Sequence, residues 1–477
     1  MLTPIIAGVR QRGVRWVTAT AVTIIAGAAL AGCNTFLDVD NPNNVPEGAL
    51  GNETAATAIA NGAGGAVTRA LAGMLAPYST LSDELTWVGS RDAYKELDDG
   101  TPSNPSNEFT DAAFAYIAEA RYTSDQAVTL LEGFDKDNKL ASRADLARTY
   151  LYAAIIYVSI ADMFDDFVIT SNKREAGEPV GEGNMGTLYD KAIAYLDKGL
   201  AVATAINNAA LRQQITAMRA RAKFDKAIWA KVNPTGTTAP AQPLVNDAGA
   251  AADAQAALAL IGAGNDFKFK LTPLAQTTGF PVVGNDLNNR VELRAGDGPL
   301  QVRCTNATCD RYIVPNSAGK QVASVKYVDP VTNAVDPVLS AAITECCIKG
   351  TQNGNGDLVP MTIVSAREMY LILAEVALAQ GNTAGFTTNI NAIRALNPGL
   401  TPYSGTPAAR DMLIHERLVN LWLQGRRLSD MYRFGIKSEE WAPTSVAATT
   451  MGCFLPITTT ERLSNANVKP QTTCAPR

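Results

Sequence analysis

The 477-residue chain contains one histidine, His415, beside 41 basic and 46 acidic residues. That scarcity excludes a His-rich zinc site. A Ser-His-Asp triad would have to recruit His415 itself. Its neighbours Glu416 and Arg417 are charged and lie in a helical pattern, which reads as a surface or capping histidine. Phosphate loops of the Walker type are missing, and no glycine cluster sits between a strand and a helix as a dinucleotide fold requires. The stretch DKDNKLASRADL (135–146) begins like a calcium loop, but Lys139 and Leu140 stand where a ligand and the turn glycine belong. Basic charge is not in excess either, so nucleic acid and anionic lipid surfaces are poor partners. No pair of carboxylates stands out for glycoside hydrolysis. The expectation is a protein without cofactor, metal or catalytic residue. Aromatic residues make up only 7% while alanine is abundant, which favours helices packed through small side chains.

Long apolar runs are confined to the start. Arg10, Arg12 and Arg15 precede an apolar stretch from Val17 to Leu30, and Leu30-Ala31-Gly32-Cys33 follows. Small residues leading into a cysteine resemble a bacterial lipobox, so residues 1–32 read as a lipoprotein signal peptide with Cys33 as the lipidated N-terminus. An ordinary signal peptide or a short membrane helix is the alternative. No later segment approaches the ~18 apolar residues of a spanning helix, so membrane contact is expected through the lipid alone. Removing residues 1–32 takes three arginines and no acids, which moves the net charge from −5 to −8.

Residues 33–50, rich in Asn, Asp and Pro, read as a tether. Residues 51–477 read as one domain in three parts. The part from 51 to 261 is dominated by helical patterns. Leu146, Tyr150, Ala153, Ala154, Tyr157, Val158 and Ala161 recur at spacings of three and four, one buried stripe. The segments 186–203 and 211–232 repeat this logic, which resembles tetratricopeptide-type hairpins. Between 262 and 360 the runs FKFKL, VELR, RYIV and QVASVKYV alternate or are β-branched between Gly, Asn and Pro, a loop-rich, partly β insert. From 361 to 477 helices return, with Gly381 as a cap after Ser365 to Gln380, and the tail is irregular. The fold class is therefore mostly α.

Six cysteines remain beside Cys33: Cys304, Cys309, Cys346, Cys347, Cys453 and Cys474. An even number in an exported chain points to disulfides. Proximity pairs Cys304 with Cys309 and Cys453 with Cys474, leaving the adjacent Cys346 and Cys347 unassigned.

Two clusters invite a functional reading. Trp87, Arg91 and Tyr94 are spaced by four and three, so a helical turn would place them together, as an aromatic and guanidinium surface for a flat ligand. A core-facing aromatic stripe is the alternative. The second is HERLVNLWLQGRRLSDMYRFG, from 415 to 435. Ile414, Leu418, Leu421, Gly425, Leu428 and Tyr432 form a seam if one helix runs throughout. Arg426, Arg427 and Arg433 then surround Asp430 at ion-pair spacings. This reads as scaffold.

Here a resemblance becomes specific. Glu416-Arg417, Gly425-Arg426, Asp430 and Arg433 resemble the C-terminal signature of SusD/RagB-like outer-membrane nutrient-binding lipoproteins. Phe36-Leu37-Asp38-Val39, Lys326-Tyr327, Glu368-Met369-Tyr370-Leu371-Ile372 with Ala374-Glu375, Asn391 with Arg394, and Leu455-Pro456-Ile457 follow the same pattern in order. Gln424, Leu428 and Ser365 depart from it, and the six additional cysteines are unusual. The resemblance implies a SusD-like fold with helical hairpins supporting a loop-rich ligand face. It implies an outer-membrane location, facing outside the cell. The implied activity is non-catalytic capture of a glycan or oligopeptide and its delivery to a SusC-like TonB-dependent receptor. A surface-anchored carbohydrate hydrolase and a helical-repeat adaptor without small ligand are the alternatives.

Overall fold

The computed structural model describes residues 51–171, 175–273, 283–290, 292–295, 312–315, 321–325, 327–347, 359–469 and 474. Cys33, the tether, Phe36 to Val39, Cys304, Cys309, Lys326 and the side chains of Cys346 and Cys347 lie outside them. The described residues divide after Ala55 into two units. Within the first, Glu53–Ala55 forms a single 3-10 turn.

The second unit is mostly helical. α1 (Ala56–Ser82), α2 (Asp92–Asp98), α3 (Glu108–Lys136), α4 (Arg143–Met163), α5 (Gly186–Ala205), α6 (Ala209–Val232) and α7 (Ala248–Ile261) come first. α8 (Pro337–Cys347), α9 (Ala366–Ala379), α10 (Thr383–Ala395), α11 (Ala409–Asn420) and α12 (Arg427–Phe434) follow. Short polar starts account for several helix boundaries. The side chains of Asn107, Asn208, Asp247, Ser365 and Asn382 accept backbone N–H groups in the first turns of α3, α6, α7, α9 and α10, satisfying donors that have no partner within the helix. Gly381 (φ +72°) follows α9 and Gly435 (φ +71°) follows α12, each in the left-handed region.

From α3 to α7 each helix packs on the next, and α1 packs across α3 and α4. Small residues bring the helices close. A Cβ on Gly199 would lie 3.2 Å from Tyr150 Cβ, so α5 approaches α4 where a larger side chain would push them apart. The stripe read on α4 is buried throughout: Leu146, Tyr150, Ala153, Ala154, Tyr157, Val158 and Ala161 are at most 4% exposed.

Strands occur in antiparallel pairs: β1 (Thr86–Trp87), β2 (Val168–Ile169), β3 (Glu178–Pro179), β4 (Lys268–Leu271), β5 (Leu293–Arg294), β6 (Tyr312–Pro315), β7 (Gln321–Val325) and β8 (Met361–Ser365), joined as β1–β5, β2–β3, β4–β8 and β6–β7. The four runs read between 262 and 360 supply β4 to β7. That stretch also contains helix α8, which the sequence pattern did not indicate. β4 meets β8 with Lys268 opposite Ser365 and Leu271 opposite Met361, tying the insert to the start of α9. Cys453 and Cys474 form a disulfide. Among the described residues, no helix is long and apolar enough to cross a membrane.

Candidate ligand-binding site

The seam expected from Ile414 to Tyr432 is not one helix. α11 ends at Asn420, and α12 begins at Arg427. Between them, Leu423 (φ +55°) and Gly425 (φ +73°) take left-handed backbone, which reverses the chain. Gly425 also fits where a Cβ would lie 2.6 Å from Met163 Cε, so the turn and the end of α4 approach through a missing side chain.

The arginines of this stretch are not exposed ion-pair formers on one face. Asp430 takes only one of the three expected, Arg433, whose Nε donates to Oδ1 (2.9 Å), and its second partner is Arg417, whose Nε donates to Oδ2 (2.7 Å). Burial alone would raise the Asp430 carboxyl, yet the Arg417 and Arg433 guanidiniums hold it below its ordinary range. Arg433 also grips Glu375, with Nη2 donating to Oε2 at 2.9 Å. Arg426 turns away to Glu368 (3.2 Å). Arg427 chelates Asp83 with two bonds of 2.9 Å. Glu416 pairs with Arg394, which also chelates Asp329. Every side chain in this network is at most 7% exposed.

His415 is buried rather than at the surface. Its Nε2 lies 3.0 Å from Asp336 Oδ2, and its ring stacks on Tyr327 at 5.3 Å. Asp336 Oδ1 accepts the backbone N–H groups of Val338 and Leu339, so the histidine holds the residue that caps α8.

Two acids just after α1 clamp the turn. Asp83 holds Arg427, and Glu84 Oε1 accepts the Leu423 N–H at 2.7 Å. Ser79 Oγ donates to the other Glu84 oxygen at 3.0 Å. Burial pushes the Glu84 carboxyl up to about 7, against the pull of these hydrogen bonds. The clamp presents Trp422, Leu423 and Gln424 to a cavity of about 150 Å³. Its other walls include Ala72 and Leu75 on α1, Lys268 on β4, Val338, Ala341, Ala342 and Glu345 on α8, Met361, Thr362 and Ser365 on β8, Arg367 on α9, Asn397, and Val419 and Asn420 on α11. A partly open concavity with polar and apolar lining is a usual form of a small-molecule site.

The three residues proposed from spacing do not share a helical face. Trp87 is on β1, opposite Leu293. Arg91 occupies the extended N-cap position of α2, ion-pairs with Glu108 and lies over the Phe109 ring. Tyr94 is 1% exposed, stacks on Phe109 at 3.8 Å and donates to Asp286, so it packs in the core. The reason is local. Glu292 accepts the N–H groups of Ser90 (2.7 Å) and Arg91 (2.9 Å) and holds 88–91 outside the helix, which delays it until Asp92. Trp87 and Arg91 retain partly exposed edges, and neither lines the cavity.

The C-terminal segment matches the SusD family model over residues 350–472. The chain has a SusD-like fold, and its C-terminal segment is similar to the SusD family. The solved structures it resembles include a SusD superfamily protein from Bacteroides vulgatus (13% identity, 89% of this chain and 99% of that one, TM-score 0.55). A SusD superfamily protein from Bacteroides thetaiotaomicron is similar at 11% identity, 87% and 100% coverage and TM-score 0.56. A SusD-like carbohydrate binding protein from Bacteroides fragilis gives 13% identity, 81% and 87% coverage and TM-score 0.53. No curated protein matches the chain by sequence. The matched segment contains Glu368, Glu375, Arg394, Glu416, Arg426 and Arg433, so the part similar to the family coincides with the buried charge network. Asp83, Glu84, Asp329 and Asp336 complete that network from outside the segment. No local spacing announces them; the adjacent acids at the end of an apolar helix were the one available signal.

Proposed function

We propose that this chain is a cell-surface lipoprotein, anchored through Cys33 to the outer membrane, that captures a glycan or oligopeptide and delivers it to a SusC-like TonB-dependent receptor. Chief support comes from the fold, shared along 81–89% of the chain with SusD-type structures, one of them described as carbohydrate binding. The lipobox-like Leu30-Ala31-Gly32-Cys33 is consistent with surface anchoring. Capture needs no bond made or broken. The ligand acts by differential affinity, shifting the protein toward whichever state of the receptor complex binds it better. The domain limits are proposed as 1–32 signal peptide, 33–50 tether and 51–477 binding body. Trp87 and Arg91 remain candidate contacts for a flat ligand, on an edge separate from the cavity.

Titration calorimetry of the mature chain against glycans and oligopeptides tests the capture reading. Saturable heat with one class and no turnover supports it. Hydrolysis of an oligosaccharide would make the protein an enzyme instead, and silence across the whole panel would favour an adaptor. Replacing Cys33 by Ser should release the protein from membranes; retention would refute the anchor.

A further inference from the structure

We infer that the cavity beside the 421–426 turn takes a compact ligand group that carries a carboxylate, an acidic peptide side chain or a sugar acid, with Lys268 as its cationic partner. The inference names the chemistry of what is captured, and it rests on the capture reading for its biological meaning.

The wall leaves hydrogen-bond donors over. Thr362 Oγ1 and Asn397 Nδ2 have no partner among the described residues, while Asn397 Oδ1 is taken by the Gly399 N–H at 3.1 Å. Lys268 Nζ lies 3.8 Å from Asp266 and its side chain is 36% exposed. That aspartate is already chelated by Arg367 through bonds of 2.8 and 2.9 Å, so it holds the lysine weakly. Side-chain acceptors on the wall are mostly in use. Asn420 Oδ1 accepts from Arg367 at 2.9 Å, and Ser365 Oγ accepts the Glu368 N–H at 3.2 Å. Glu345 ion-pairs with Lys270. Trp422 Nε1 and Gln424 Oε1 are buried without hydrogen-bond partners; they add one donor and one acceptor and leave the balance unchanged.

Charge points the same way. In the ion pairs of this wall three cations, Lys268, Lys270 and Arg367, meet two acids, Asp266 and Glu345. One positive charge is left in excess, in a chain whose net charge is −5. A carboxylate accepts hydrogen bonds at both oxygens and donates none, which matches the free donors, and its bonds to a cation are stronger than neutral ones. A neutral sugar ring would bring a donor with every hydroxyl and find few acceptors free, and a buried donor without a partner is penalised. A cationic group would meet Lys268 as a like charge. The carbon part of the group can rest on Ala72, Leu75, Val338, Met361 and Val419. The volume, about 150 Å³, suits one ring or one short side chain, since cavities of that order admit a benzene-sized molecule.

Titration calorimetry of the mature chain compares two acids with their neutral counterparts: glucuronate with glucose, and N-acetylglutamate amide with N-acetylglutamine amide. At least one acid should bind saturably and at least tenfold more tightly than its counterpart, and the acid that does so identifies the source, glycan or peptide. Lys268→Met should weaken that acid at least tenfold, and added salt should weaken it in the unaltered chain. Thr362→Val keeps the side-chain shape and removes one donor; it should weaken the acid about threefold and serves as the second variant if Lys268→Met fails to fold. Equal binding of acid and counterpart, unchanged affinity in a folded variant, or no saturable binding of either acid would overturn the inference. The calorimetry with glycans and oligopeptides is read separately. If a neutral glycan or peptide binds there and neither acid does, the carboxylate assignment falls and capture stands. If an acid binds but no glycan or oligopeptide does, the assignment stands and capture falls.

Discussion

The helical body from α3 to α6 and the C-terminal part from β8 to α12 differ in how much of their charge is buried: the body buries one cluster, Arg221 with Asp162 and Asp225, and the C-terminal part a whole network. In the body, pairs such as Lys198–Glu132 and Arg143–Asp135 sit at the surface, with side chains 23–56% exposed, and alanine-lined seams hold the helices. In the C-terminal part, Arg433, Glu375, Arg417 and Asp430 are 0–6% exposed and join elements far apart in sequence. Exposed pairs gain little because water competes for both partners. Buried pairs have already lost their water, so each partner depends on the other. Apart from the Arg221 cluster, the body is thus held by shape, and the C-terminal part by matched charge. The cavity lies against the charged part, whose clamp fixes one of its walls.

Breaking the buried side of this contrast should have the largest effect. Arg433→Met leaves Glu375 and Asp430 sharing Arg417 alone, and should cost roughly 3–5 kcal/mol in urea unfolding. A loss below about 1 kcal/mol, the range of an exposed pair, would erase the distinction between the two regions.

A smaller effect should appear at Glu84, which burial raises from an ordinary 4.5 to about 7. The folded protein keeps a proton there that the unfolded chain releases. This contribution to stability is complete below pH 4.5 and is lost as pH rises through about 7. Asp83 and Arg427 face the same carboxyl and oppose each other. Buried Asp98, raised to about 8, adds a loss of the same sign. Glu84→Gln keeps a neutral acceptor for the Leu423 N–H, so the fall in Tm between about pH 5 and pH 8 should shrink without vanishing. An unchanged slope would remove Glu84 as its source.

The smallest effect belongs to the surface. Lys198→Ala should alter stability by no more than about 0.5 kcal/mol. A loss of several times that would mean the body, too, relies on its ion pairs.

Legibility followed the range of the interactions. The α4 stripe could be read because its residues meet the same neighbours at helical spacing, and β4 to β7 because alternation is local. Cys453 and Cys474 were close enough in sequence to pair by proximity. His415 was misplaced because its partners, Asp336 and Tyr327, are contributed by a different part of the chain. Tyr94 was misplaced because Glu292 and Asp286, some two hundred residues later, decide where α2 starts and what its first turn faces.

By itself, the sequence determined the helical character of the body, the short strands of the insert and the scaffold role of the 415–435 stretch, since these follow from side-chain period and motif order. Only the tertiary structure decided where that stretch breaks, which acid meets which arginine, and that its broken turn forms a cavity wall. Spacing along a helix gives the neighbours of a charge within about one turn. Once charges are buried, the partner is whichever residue the packing brings within 3 Å or so, and Asp83 reaches Arg427 across 344 positions.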